Sequence, residues 1–155
     1  MAWWAEPTWA AMRAGKDCPM CADAHLPANP HSTLITTMST TFVRLAVNQT
    51  KPGYCIVVFN RHAPELHDLQ PGELAAFWSD VAAVGLAVST IFQPVKIDNL
   101  VMGHRCPHLH CHVYPQYRYD DPLALVDISA GFKQLTPAEQ HQRAALIRTA
   151  LPAHR

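Results

Sequence analysis

Three histidines at alternate positions, His108, His110 and His112, are interleaved with Leu109, Cys111 and Val113. That alternation is the period of an extended strand, whose successive side chains point to opposite faces of a sheet. It puts Leu109, Cys111 and Val113 toward a core and the three imidazoles, with Tyr114, on the other face. Three imidazoles side by side are a costly surface unless some chemistry uses them. Two uses fit. Histidines at i and i+2 of a strand can both reach one zinc ion, or the imidazoles handle a phosphate and His110 attacks it.

The flanking sequence supplies the sheet and what covers it. Residues 40–47 and 53–59 read as β-rich segments joined by the turn-like Asn48-Gln49-Thr50-Lys51-Pro52, so they pair antiparallel. Pro71 suits a first helical position and Glu73 the first turn, and Leu74, Phe77, Trp78, Val81, Val84 and Val88 recur at helical spacing. A long helix with one buried face is expected from Pro71 to Phe92, ahead of Pro94. Residues 96–102 form a third strand, 103–107 a turn and 108–114 the histidine strand. A short helix is expected within 8–14, a loop from Cys21 to about Ser32, and a last helix from the capping box Thr136-Pro137-Ala138-Glu139. Antiparallel neighbours with few intervening helices define an α+β class.

The chain has 155 residues, 49% of them hydrophobic, enough for one domain with its own core. Lys plus Arg equals Asp plus Glu at 12 each, so the basic surplus that non-specific nucleic-acid binding needs is missing. The apolar stretch from Val81 to Val95 is too short to span a bilayer. The start, Met1-Ala2-Trp3-Trp4-Ala5-Glu6, has neither the basic region nor the apolar run of a signal peptide. Five cysteines, an odd number, fit a disulfide framework poorly, so a reducing cytoplasm is expected.

The run from His108 to Tyr114 resembles the His-φ-His-φ-His-φ-φ signature of the histidine triad (HIT) family of nucleotide hydrolases and transferases. Residues 48–58, 60–69 and 97–103 resemble the family's segments around its central strand and before its triad, so the likeness covers about 42–117. It implies an antiparallel sheet of about five strands under one long helix, with helical segments at both ends. A single domain over 1–155 is expected, with its core at 40–117, an N-terminal segment 1–39 and a C-terminal extension 118–155.

By the same resemblance His110 would attack an α-phosphorus to give a nucleotidyl-histidine, His112 would contact the phosphate oxygens and assist the leaving group, and His108 would order the site or bind metal. A neutral imidazole, with an ordinary pKa near ~6.5, is nucleophilic at neutral pH. Asn48 matches a position that holds ribose, and its residue type equally suits a turn. Asn99 resembles a polar contact near the phosphates. His104 stands where relatives carry Gln, and Arg105 reads as a solvated turn residue.

Cys18 and Cys21 have the spacing of half a zinc site. The resemblance completes it: the family's uridylyltransferase branch and some smaller relatives add two histidines, which here fall at His62 and His108. A closed, structural zinc site of Cys18, Cys21, His62 and His108 follows, with His67 and His25 as substitutes for His62. Trp3, Trp4 and Trp9 read as cover for a core or a subunit contact. Cys55 and Cys111 read as strand packing, and Cys106 as a filler near the triad.

The implied activity is hydrolysis at the α-phosphorus of dinucleoside polyphosphates or nucleoside phosphoramidates. Nucleotidyl transfer or phosphorolysis through the same intermediate is the alternative. His112 favours hydrolysis, because the uridylyltransferase branch carries Gln there. A metal-dependent hydrolase and a non-catalytic nucleotide-binding protein are the rival classes. Family relatives often pair through a sheet edge and the long helix, so a homodimer is expected.

Overall fold

A computed structural model describes residues 3–152, so the expected domain limits at 1–2 and 153–155 lie outside the described residues. Three central strands, β3 (Thr41–Ala46), β4 (Cys55–Phe59) and β6 (His110–Gln116), are buried along nearly their whole lengths. Strands of this kind must be covered on both faces. β5 (Lys96–Val101), by contrast, is a half-exposed edge strand, and β2 (Ser32–Thr37) with the two-residue β1 (Ala28–Asn29) closes the other side. All pairs are antiparallel, in the order β1-β2-β3-β4-β6-β5. The sheet thus has six strands where about five were expected. The strands not placed from sequence are β1, which falls inside the expected loop, and β2, whose Ser-Thr-Leu-Ile-Thr-Thr run begins where that loop was expected to end.

The first face is covered by α3 (Pro71–Phe92). The Glu73 carboxylate accepts from the Gln70 backbone N–H at 2.9 Å, Pro71 occupies the first turn, and Gln93 ends the helix in the left-handed region before Pro94. By length and composition α3 could cross a membrane. Its apolar side chains have another use: Phe77, Val81, Val84 and Val88 pack with Val43, Leu45, Val57, Cys111 and Val113. α4 (Pro137–Ala150) adds Ala144 and Ile147 to this core and packs against α3 and β2.

The second face is covered by the segment before β2 and by residues 117–136 after β6. Arg44, 1% exposed, donates to the carbonyls of Ala24, Leu26 and Ser32 and to Ser32 Oγ, which fastens the segment before β2 onto the sheet. After β6, residues 117–136 form a strap. The Gln49 N–H donates to the Lys133 carbonyl at 2.7 Å, and Ile128 packs against Ala46, Tyr54 and Tyr114.

Candidate active site and metal centre

The register fixes which side chains share the histidine face. His112 pairs with Ile56 and Leu100, and His110 with Val58, so His110 and His112 lie on the strap's side of the sheet. Their rings are 4.8 Å apart, centroid to centroid, and nearly perpendicular at 78°. His108 lies before the strand, which starts at His110 rather than at 108, and its ring is turned to a different task.

Backbone carbonyls fix three of the imidazoles. A carbonyl only accepts, so the ring nitrogen against it carries the proton and the other presents a lone pair. His110 Nδ1 donates to the His108 carbonyl at 2.6 Å, which leaves Nε2 as the bare nitrogen. His108 Nε2 donates to the Phe59 carbonyl at 2.8 Å, and His62 Nε2 to the Arg13 carbonyl at 2.9 Å, so both expose Nδ1. Those two Nδ1 atoms point at thiols. His108 Nδ1 is 3.4 Å from Cys18 Sγ and 3.5 Å from Cys21 Sγ, and His62 Nδ1 is 3.3 Å from Cys21 Sγ.

The four donor atoms of Cys18, Cys21, His62 and His108 lie within 4.8 Å of one another. Zn–S and Zn–N bonds at a tetrahedral angle require S···N edges of about 3.5 Å. The three measured S···N separations fall within about 0.2 Å of that, so the donor set fits a tetrahedral metal ion. Its ring tautomers are already those a metal needs. The site is assembled from α1 (Glu6–Arg13), α2 (Pro19–Asp23), the end of β4 and the residue leading into β6. Gly15 makes the turn into it at φ +82°, where a Cβ would stand 3.2 Å from the His62 ring. His25 lies instead against Phe42, and His67 sits in the one-turn 3-10 helix Leu66–Asp68. His110 and His112 join no such donor cluster among the described residues, so the geometry does not support a metal held by all three triad rings.

Burial sets the protonation of the triad. It pulls His112 down to about 3, helped by the neighbouring His110, and pulls His108 to about 4 against the opposing hydrogen bond to Phe59. His110 is lowered too, chiefly by burial. All three rings are therefore neutral at neutral pH, as a nucleophile and a metal ligand require. Every fully buried side-chain nitrogen and oxygen among the described residues has a partner. Nε2 of His110 and of His112 have none, so neither atom is fully enclosed, although the two residues are only 5% and 7% exposed.

The other three expected contacts have the following surroundings. Asn99 pairs with Val113, so its side chain belongs to the α3 face of the sheet, away from His110 and His112. Asn48 is taken up by its own turn and the strap: its Oδ1 accepts from the Thr50 N–H and hydroxyl and the Lys133 N–H, and its Nδ2 donates to the Gly131 carbonyl. His104 is exposed, its ring edge-on to Trp3 at 5.5 Å. Trp3, Trp9, Met102 and His104 line a cavity of about 230 Å³, which the triad rings do not line.

Two residues that sequence reasoning left out of the site stand beside it. Tyr54 Oη lies 2.7 Å from His112 Nδ1. Cys106 Sγ lies 3.9 Å from Cys18 Sγ, just outside the four-donor cluster. The β-rich run 53–59 held a signal for Tyr54, but only the pairing of Ile56 with His112 brings the two rings together.

A sheet of this topology, with two open imidazoles on its central strand and a long helix behind it, defines a histidine-triad class of protein. The HIT domain model matches residues 28–119, and the chain belongs to the HIT family. Among curated proteins it is similar to the asymmetrical bis(5'-nucleosyl)-tetraphosphatase of Schizosaccharomyces pombe, 30% identical over 90 residues. That alignment takes in 55% of this chain and 48% of the relative, so the chain matches about half the relative's length. A histidine triad protein from Sinorhizobium meliloti shares the fold, with a TM-score of 0.70 and 21% identity over 78% of this chain and 90% of that one. A zinc-bound histidine triad family protein from Mycobacterium smegmatis has a TM-score of 0.63 at 18% identity, over 86% of this chain and 92% of that one.

Proposed function

We propose that the protein is a nucleotide hydrolase acting at the α-phosphorus of dinucleoside polyphosphates or nucleoside phosphoramidates. One observation carries the reading: His110 holds its proton on Nδ1 against the His108 carbonyl and turns a bare, open Nε2 outward. In the reaction, Nε2 forms a bond to phosphorus as the bond to the leaving phosphate or amine breaks. The leaving group takes a proton, and water then cleaves the N–P bond to release the nucleotide. Much of the remaining work is positioning and charge stabilisation. His112 Nε2, beside the nucleophile, is placed for hydrogen bonding to the phosphoryl oxygens. The tetraphosphatase named above supports the substrate class.

In the same proposal zinc is held by Cys18, Cys21, His62 and His108, and the zinc-bound relative supports the choice of metal. Bound there, it supplies a structural cross-link between the N-terminal segment and the sheet. The five free thiols suit a reducing, cytoplasmic setting. A homodimer belongs to this reading as well, and light scattering on the purified protein tests it.

The test of the activity is mass spectrometry of protein quenched within milliseconds of mixing with a bis(5'-nucleosyl) tetraphosphate. A nucleotidyl adduct on His110 is expected, and His110→Ala should abolish both adduct and turnover while keeping the melting temperature. Turnover that survives His110→Ala sinks the nucleophile assignment. Binding without turnover across a panel of nucleotides would make the chain a binding protein.

A further inference from the structure

We infer that Tyr54 is a positioning residue of the triad, setting His112 in the tautomer that presents an Nε2 proton to the substrate phosphate. The role as stated rests on the hydrolase reading, whereas the tautomer assignment does not.

The inference starts from one hydroxyl. Tyr54 and His112 are 5% and 7% exposed, and the phenol oxygen sits 2.7 Å from Nδ1. A phenol has one proton to place. Among the described residues Tyr54 Oη has no other hydrogen-bond partner. If Nδ1 carried the imidazole proton and donated it, the phenol proton would be left without an acceptor in a buried place, an arrangement proteins avoid. Donation from the phenol to Nδ1 satisfies both groups and forces the imidazole proton onto Nε2, the nitrogen that opens outward. Burial holds the Tyr54 hydroxyl well above the usual tyrosine range, so it keeps the proton it donates.

The two neighbouring rings are then set oppositely by the chemistry of their partners. A carbonyl can only accept, so His110 carries Nδ1–H and shows a lone pair. The phenol donates, so His112 shows an N–H. One ring attacks phosphorus while the other donates to its oxygens. A hydroxyl also accepts: if His112 picks up a proton, Nδ1–H can donate to the phenol oxygen without the ring moving. Neither a carbonyl nor a carboxylate could serve both states. Tyr54 is itself held by Tyr114, edge-on at 5.0 Å and 79°, and by Ala46 and Ile128 of the same small cluster.

The decisive measurement is the ¹⁵N spectrum of the imidazoles in the ligand-free protein, with the His112 signals assigned by their loss in His112→Gln. The expected native spectrum has His112 as the Nε2–H tautomer and His110 as the Nδ1–H tautomer. Tyr54→Phe should shift His112 toward a tautomer mixture and lower kcat about tenfold, the worth of one buried hydrogen bond, with little change in KM. Should Tyr54→Phe fail to fold, a more acidic fluorinated tyrosine installed at position 54 keeps the ring and should move the His112 shifts alone. A native His112 with its proton on Nδ1 overturns the inference. So does a spectrum unchanged by both substitutions. If no nucleotide is turned over while the spectrum is as expected, the hydrolase reading fails and the tautomer assignment stands.

Discussion

Loading the Cys18–Cys21–His62–His108 site with zinc should raise the thermal stability of the protein by an amount set by the ratio of free zinc to the dissociation constant. The S···N separations of 3.3 to 3.5 Å are already close to the edges of a zinc tetrahedron. Both rings also hold their Nε2 protons on backbone carbonyls. Little binding energy is then lost to reorganisation, and preferential binding to the folded state becomes stability. At free zinc one hundred times the dissociation constant, the linkage is worth about 2.7 kcal/mol. For a chain of this size each kcal/mol moves the midpoint by about 2–4 °C, so a rise of roughly 5–11 °C is expected. Calorimetry of metal-free protein titrated with zinc measures it, and elemental analysis should give one zinc per chain. Cys21→Ser should remove most of the rise. Cys106→Ser should keep both zinc and rise, because Cys106 lies outside the four-donor set. Identical melting of metal-free and zinc-titrated wild-type protein would refute the reasoning.

Other consequences are equally open to measurement. Arg44→Met leaves the carbonyls of Ala24, Leu26 and Ser32 without their donor and should cost about 3 kcal/mol or more in urea unfolding, with the N-terminal segment the first to exchange its amides. Acid should destabilise the fold through His112. Its folded value, about 3, lies below the ordinary 6.5, so the unfolded chain takes up the proton first. Stability therefore rises with pH between about 3 and 6.5, and is lost on acidification at up to about 1.4 kcal/mol per pH unit. The loss between pH 6.5 and 4 should be smaller in His112→Gln, and an equal loss in that variant would refute the assignment. Thr136→Ala breaks the capping box of α4, in which the hydroxyl accepts from the Glu139 N–H, and should cost about 1 kcal/mol.

The parts of the fold that were legible from sequence are those written in local chemistry. α3 runs from Pro71 to Phe92 because proline, Glu73, helical spacing and Pro94 all act within a few residues of the backbone they direct. The capping box of α4 is local in the same sense. β2 escaped because a run of Ser and Thr alternates weakly, and its burial comes from Arg44 and α4, both distant in sequence. The contacts of Asn99 and Asn48 depended on register and on the strap. Asn99 falls on the far face because it opposes Val113, which no reading of its own neighbourhood reveals. Tyr54 lies 58 residues from His112, and the metal set joins Cys21 to His62 over 41 and Cys18 to His108 over 90. Spacing alone supplied only the two cysteines. The two histidines came from family resemblance, because no local rule connects them.

His108 links the four-donor cluster to the ring of His110. Its ring faces two thiols through Nδ1 and the Phe59 carbonyl through Nε2, so both nitrogens are engaged. Its own carbonyl receives the His110 Nδ1 proton at 2.6 Å. Any ion seated among the four donors would restrain the residue whose carbonyl orients the His110 ring. The first histidine of the alternating run thus has both ring nitrogens engaged and forms the joint between the N-terminal segment and the ring two positions on. A substitution such as His108→Ala should reach further than loss of one ligand, because it loosens the carbonyl that holds His110 as well. His62→Ala removes a ligand and leaves that carbonyl in place. On this geometry the His108 variant should lose the single-tautomer ¹⁵N signature of His110, whereas the His62 variant should keep it even when zinc no longer binds. Loss of the signature in both variants would show that the metal, rather than the backbone of residue 108, holds the His110 ring.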